Sequence, residues 1–148
     1  MLDFHLLAQS VCSTIGMLGI GAEFQEPAES CGSFRIENDV VILIGIIGSK
    51  KYNAAFSLKN ETACRIAGTM MGTGSCALDE MGRSAVAELV NMISGNLVSS
   101  APEELSEITL PTLVSGTGVC CVMQSFQSEK LRFQTTCGPV EVSIALEG

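Results

Sequence analysis

The run Val40–Ile47 carries no polar side chain, and it sets the strongest condition on how this chain can fold. It is far shorter than the ~20 apolar residues that a membrane-spanning helix needs. A short run rich in Val and Ile is what a central β-strand covered on both faces requires. Before it, Ser33–Glu37 alternates, with Phe34 and Ile36 on one face, and after it Lys51–Leu58 reads as a further strand. Apolar residues make up 47% of the 148 and charged residues only 16%. Intrinsic disorder is excluded, because it needs low hydrophobicity. The surplus must enter a sheet buried on one face, a subunit interface, or both.

Helical spacing frames the strands. Leu2, Leu6, Val11, Ile15 and Leu18 predict a first helix over 2–18, closed by Gly19 and Gly21. Residues 22–33 are read as a loop. Asn60 is the expected N-cap of a short helix ending near Met71, broken by Gly72-Thr73-Gly74-Ser75. A long helix is expected over 79–98, with Pro102 just beyond it and an acidic connector at 103–114. Strands are expected at 119–126, 130–136 and 139–146, the last two with the alternation of half-buried strands. Strands cluster in runs rather than alternating singly with helices. The expected fold is therefore α+β: a single domain over 1–148, with a largely antiparallel sheet and two long helices packed on one face.

The net charge is −8, and no Lys/Arg cluster extends beyond Lys50-Lys51. Nucleic acid and anionic membrane surfaces, which reward dense positive charge, are excluded as partners. The acidity is uneven: residues 79–107 hold six acids against one base. Seven cysteines stand at 12, 31, 64, 76, 120, 121 and 137, with no C-x-x-C spacing and only His5 as a histidine. Reduced thiols in a cytoplasmic protein are expected, with no metal site. Asp3 stands where a secretory signal would carry Lys or Arg. The glycine-rich segment 68–74 lacks the lysine of a phosphate loop and follows a helix, so it is read as a turn.

At about 100° per residue, the long helix separates into two faces. Val86, Val90, Ile93 and Leu97 point to the core, while Ser84, Glu88, Asn91 and Gly95 occupy the opposite arc. Glu80 and Asn96 lie at the edges of that arc, with Met81 and Met92 flanking it. Exposed helix faces usually carry several Lys, Arg and Glu; here Arg83 is the helix's one base. Asparagine is a poor helix former. Its presence three residues after Glu88 suggests that the carboxamide is wanted for itself. An amide can hold a water in fixed orientation, an established device in phosphoryl transfer, and a neighbouring carboxylate can pair with a partner's lysine.

The run Asp79–Asn96 resembles the signature helix of the CheX/CheC chemotaxis phosphatases, whose pattern is Ser or Asp, three residues, Glu, two residues, Asn, then a proline beyond a connector. Ser84, Glu88 and Asn91 match, and Pro111 is taken for the proline. The resemblance is clear over about 66–116. It implies a phosphatase acting on the phospho-aspartate of a CheY-like response regulator, with Asn91 orienting the attacking water and Glu88 pairing with the regulator's lysine. Glu80, Met81, Ser84, Met92 and Gly95 would contact the partner. Mg2+ would be held by the regulator, so that this chain binds no cofactor. The alternative within the same resemblance is a non-catalytic adaptor that binds a receiver domain or a motor protein.

CheX-like members are homodimers joined through their sheets, whereas CheC-like members carry two signature helices. A faint internal echo lays 10–21 on 85–96, matching Val11 with Val86 and Met17 with Met92. It puts Ser13 and Gly16 where Glu88 and Asn91 stand. One site per chain, and a CheX-like homodimer, are therefore expected.

Overall fold

The computed structural model describes residues 2–74, 77–123 and 128–147. Its organising element is β2 (Phe34–Gly48), which contains the apolar run. β3 (Lys51–Leu58) pairs with one edge of β2, from Val40↔Leu58 to Ile47↔Lys51. Two strands share the other edge: β5 (Thr112–Met123) pairs with residues 34–43, and β4 (Leu105–Ile108) with 46–48. The sheet runs β1-β6-β7-β3-β2-β4, where β1 is Ala22–Cys31, β6 Ser128–Thr135 and β7 Gly138–Leu146. Every pairing among the described strands is antiparallel.

Three helices, α1 (Phe4–Met17), α2 (Asn60–Met71) and α3 (Glu80–Ser100), share one core with a single sheet face. Val11 and Ile15 of α1, Ile66 of α2, and Val90 and Ile93 of α3 pack in the same cluster as Val40, Ile42 and Ile44 of β2. The expected α+β fold is found, with one more helix in the layer than the two long ones foreseen. The opposite sheet face has a smaller core of Phe34, Ile36, Val41, Ala55 and Ala145. Part of the surplus hydrophobicity is thus absorbed within the chain.

Several boundaries differ from the sequence reading, each for a physical reason. Residues 22–31 form a strand rather than a loop. β1 is a polar edge strand pairing only with β6, and its register shifts between Gln25 and Glu29, around Pro27. Proline is tolerated in sheets at edges and bulges. The two strands foreseen at 33–37 and 40–47 are one, interrupted by a bulge. Asp39 lies opposite the Gly116-Thr117-Gly118 segment of β5, between the pairs Asn38↔Val119 and Val40↔Ser115. That glycine-rich segment made 103–114 look like a connector running up to a strand at 119, whereas β5 begins at Thr112 and β4 precedes it. The foreseen 119–126 strand extends at its far end over 124–126, outside the described residues, as does Ser75.

Asn60 is not the N-cap of α2. Lys59 holds that position without a side-chain bond, and the Asn60 amide N–H donates instead to Asp39 Oδ2 at 3.1 Å. Asp39 Oδ1 also accepts from the Gly118 N–H at 3.4 Å, so one carboxylate from the β2 bulge joins two neighbouring segments. At the other end of α2, Gly72 takes the left-handed conformation that closes the helix.

Gly48 is where the connector after α3 meets β2. A Cβ there would lie 1.8 Å from the Glu104 carbonyl oxygen, and Ser49 N–H donates to that same oxygen at 2.9 Å. Gly48→Ala must therefore separate backbone from backbone. We expect a loss of about 2 kcal/mol or more, the cost of overpacking, read as a lower denaturant midpoint. A midpoint within error of the parent would refute this account of the β2–β4 junction.

Cys12, Cys31, Cys120, Cys121 and Cys137 carry free thiols; Cys76 lies outside the described residues. Burial raises the pKa of Cys12, and burial followed by the neighbouring Cys120 raises that of Cys121. A raised thiol pKa leaves less thiolate at a given pH, hence slower alkylation. With limiting iodoacetamide at pH 8, peptide mapping should find the exposed Cys120 labelled well ahead of the half-buried Cys121. Equal labelling would contradict the placement of the two side chains.

Candidate functional site

α3 begins where the sequence places its cap. Asp79 accepts from the Gly82 N–H at 2.9 Å through Oδ1, and its own N–H donates to the Ala77 carbonyl at 2.9 Å. The preceding loop folds tightly over the first turn, so a Cβ on Gly82 would lie 3.2 Å from the Ala77 oxygen. Arg83, the helix's one base, donates from Nη1 to the Leu78 carbonyl at 2.6 Å. The single cation of α3 is therefore held against the loop.

The two faces are as expected. Val86, Val90, Ile93 and Leu97 are buried, joined by Leu89. Glu80, Met81, Ser84 and Glu88 are exposed, while Asn91, Met92 and Gly95 are half-buried. Neither Glu88 nor Asn91 has a hydrogen-bond or ion-pair partner among the described residues. On a helix, side chains three apart are neighbours, with Cβ atoms ~5–6 Å from each other. The protein thus presents an unengaged carboxylate beside an unengaged carboxamide, on a helix whose opposite face is locked into the core. Pro111 lies half-buried just before β5, next to the fully exposed Leu110. On α1, Ser13 and Gly16 are exposed.

Two features of the site were not legible in the sequence. Asn96 Nδ2 donates to Thr14 Oγ1 at 2.7 Å, and Thr14 is fully buried, so the amide at the edge of the stripe ties α3 to α1. The two partners lie 82 residues apart in the sequence. Gly95 sits in the interior of α3, where glycine costs roughly 1 kcal/mol relative to alanine. A Cβ built on it meets nothing within 4 Å. Unlike Gly82, it answers no packing need among the described residues.

Among the described residues, no three of His, Cys, Asp or Glu come together to hold a metal ion. No described helix is long and apolar enough to cross a membrane. An unpartnered Glu and Asn can recognise a cation and orient a water, and both tasks need the reacting group to arrive from outside.

The family described as chemotaxis phosphatase CheX matches residues 40–133. The CheY-P phosphatase CheX of Thermotoga maritima is 36% identical over 117 residues, covering 76% of this chain and 74% of that protein. A crystal structure of CheX from Desulfovibrio desulfuricans superposes with a TM-score of 0.86 at 20% identity, over 97% of each chain. The CheX-CheY-BeF3-Mg2+ complex from Borrelia burgdorferi superposes at 0.72 and 19% identity, over 100% of each chain. The helix with its outward Glu88 and Asn91 lies within the matched region, and this chain belongs to the CheX chemotaxis phosphatase family.

Proposed function

We propose that this chain hydrolyses the phospho-aspartate of a CheY-like response regulator in the cytoplasm, with Asn91 and Glu88 as the catalytic residues. The observation that carries the reading is the pair itself. Both side chains lie on the solvent side of α3, three residues apart and without partners among the described residues. Family membership supports the reaction, and the Borrelia complex shows a relative of this fold engaged with CheY.

In this reading the carboxamide of Asn91 accepts from one water proton and directs the oxygen lone pair in line with the acyl phosphate. The new P–O bond forms as the bond to the aspartate oxygen breaks. The regulator's carboxylate leaves, and the water's proton goes to the inorganic phosphate. Positioning of this kind is the main contribution a protein makes to phosphoryl transfer. Glu88 pairs with the regulator's lysine, fixing the distance between the two surfaces. Mg2+, held by the regulator, neutralises charge on the phosphoryl oxygens. Glu80, Met81, Ser84, Met92 and Gly95 line the contact, and the acids of 79–107 steer a partner that presents a cation.

At saturating protein, the lifetime of a phosphorylated CheY-like regulator should shorten markedly. Asn91→Ala should lower the limiting rate by about 100-fold with unfolding unchanged, the cost of losing a water-orienting group. Glu88→Ala should act mainly on KM, and raised salt should increase KM for the parent. Binding with no change in phosphate lifetime would overturn the phosphatase reading in favour of an adaptor.

We also propose that the working form is a homodimer joined at the sheet. The support is apolar surface on the β4–β5 side. Leu110 and Val122 are 87% and 67% exposed, beside a groove of about 360 Å³ lined by Phe34, Leu43 and Cys121. Sedimentation at micromolar concentration should give a dimer that Val122→Asp shifts toward monomer. A parent chain that sediments as a monomer would refute this.

A further inference from the structure

α3 carries two glycines within its span, and the structure explains one of them. Gly82 lies under the loop that folds over the first turn, where a Cβ would crowd the Ala77 carbonyl oxygen at 3.2 Å. Gly95 stands four residues after Asn91, directly above it on the helix surface, and has open space where a side chain would be. It is also half-buried, and it lies beside the carboxamide. Among the described residues no packing requires a glycine at this position, and it adjoins the unpartnered carboxamide.

We propose that Gly95 is the seat for a main-chain segment of the phosphorylated regulator. The missing side chain lets backbone approach the helix closely enough for Asn91 to reach the acyl phosphate. The inference rests on the phosphatase reading and adds to it a steric determinant of docking. The occupant is a polypeptide backbone, because the space gained by removing a methyl group matches close main-chain approach, a recurrent use of glycine. The positions one turn before Gly95 on the helix, Asn91 and Met92, carry no charge. Asn96 follows Gly95 in the chain, with its amide committed to Thr14.

Two opposite effects are expected from one substitution. Gly95→Ala replaces the poorer helix former, so Tm should rise by roughly 3 °C. The added methyl stands between the helix and its partner, so KM for the phospho-regulator should rise about tenfold, as one superfluous methylene does in a packed contact. Gly95→Leu should raise KM further, again without loss of Tm. The limiting rate at saturation should change much less than KM, because Asn91 and Glu88 are untouched. Gly16 on α1 is the control: it too has open space around its Cβ, and Gly16→Ala should leave KM unaltered. Gly95→Ala and Gly95→Leu with parental KM would overturn the proposal. So would a fall in Tm on Gly95→Ala, which would mean the glycine serves the fold. A parent protein that does not shorten the phosphate lifetime would instead overturn the phosphatase reading beneath it.

Discussion

The apolar run of β2, which needs cover on both faces, is the constraint from which the rest of the architecture follows. In the fold that cover is uneven, since Leu43, Gly45 and Ile47 stay half-buried on one side. One face receives the helical layer, through Val40, Ile42, Ile44 and Ile46. The other carries a smaller cluster: on the N-terminal side of the bulge at Asp39, Phe34 and Ile36 pack with Ala55 and Ala145, and Val41 joins them from beyond it. The bulge inverts side-chain parity along β2, which is why even-numbered residues face the helices after it and the second core before it. A single carboxylate stabilises this change of direction, since Asp39 bonds both to Asn60 at the start of α2 and to Gly118 in the facing strand.

The consequence for function is mechanical. α3 lies on the sheet with five buried apolar side chains from Val86 to Leu97, and it is anchored at both ends of its working stretch. Asp79 and Arg83 hold its first turn to the preceding loop, while Asn96 holds its second half to α1. A rotation of the helix by 10° would move the tip of Asn91, roughly 6 Å from the axis on standard helix geometry, by about 1 Å. Displacements of that size matter in reactions that depend on alignment. Polar bonds at the two ends, which have directions, complement a core contact that has none.

What could be read from the sequence followed from how local the signal was. The 3.6-residue period of α3 alone assigned Val86, Val90, Ile93 and Leu97 inward and Ser84, Glu88 and Asn91 outward, because helix amphipathicity is written in adjacent turns. The alternation at 130–146 located β6 and β7 for the same reason. β1 escaped because its sequence is polar and interrupted by Pro27; only pairing with β6, about 100 residues away, makes it a strand. The start of β5 escaped because Gly116 and Gly118 mark a bulge rather than an end. The cap of α2 was misassigned because the group that bonds its first amide comes from Asp39, 21 residues earlier. In each case the deciding partner was remote.

The same distinction separates the two halves of the candidate site. Glu88 and Asn91 stand out in sequence because each departs from what an exposed helix face usually carries. Gly95 stands out only against the folded chain, where space that packing leaves open is distinguishable from space that packing demands. The helical period puts Gly95 on the outward arc, but the sequence does not say whether a helical glycine such as Gly82 or Gly95 is required by packing. Building the absent side chain on each separates them: one meets the carbonyl of Ala77, the other meets solvent. A helix whose inward face is buried in the core and whose outward face keeps open space next to an unpaired amide is shaped for a surface that this chain does not itself supply.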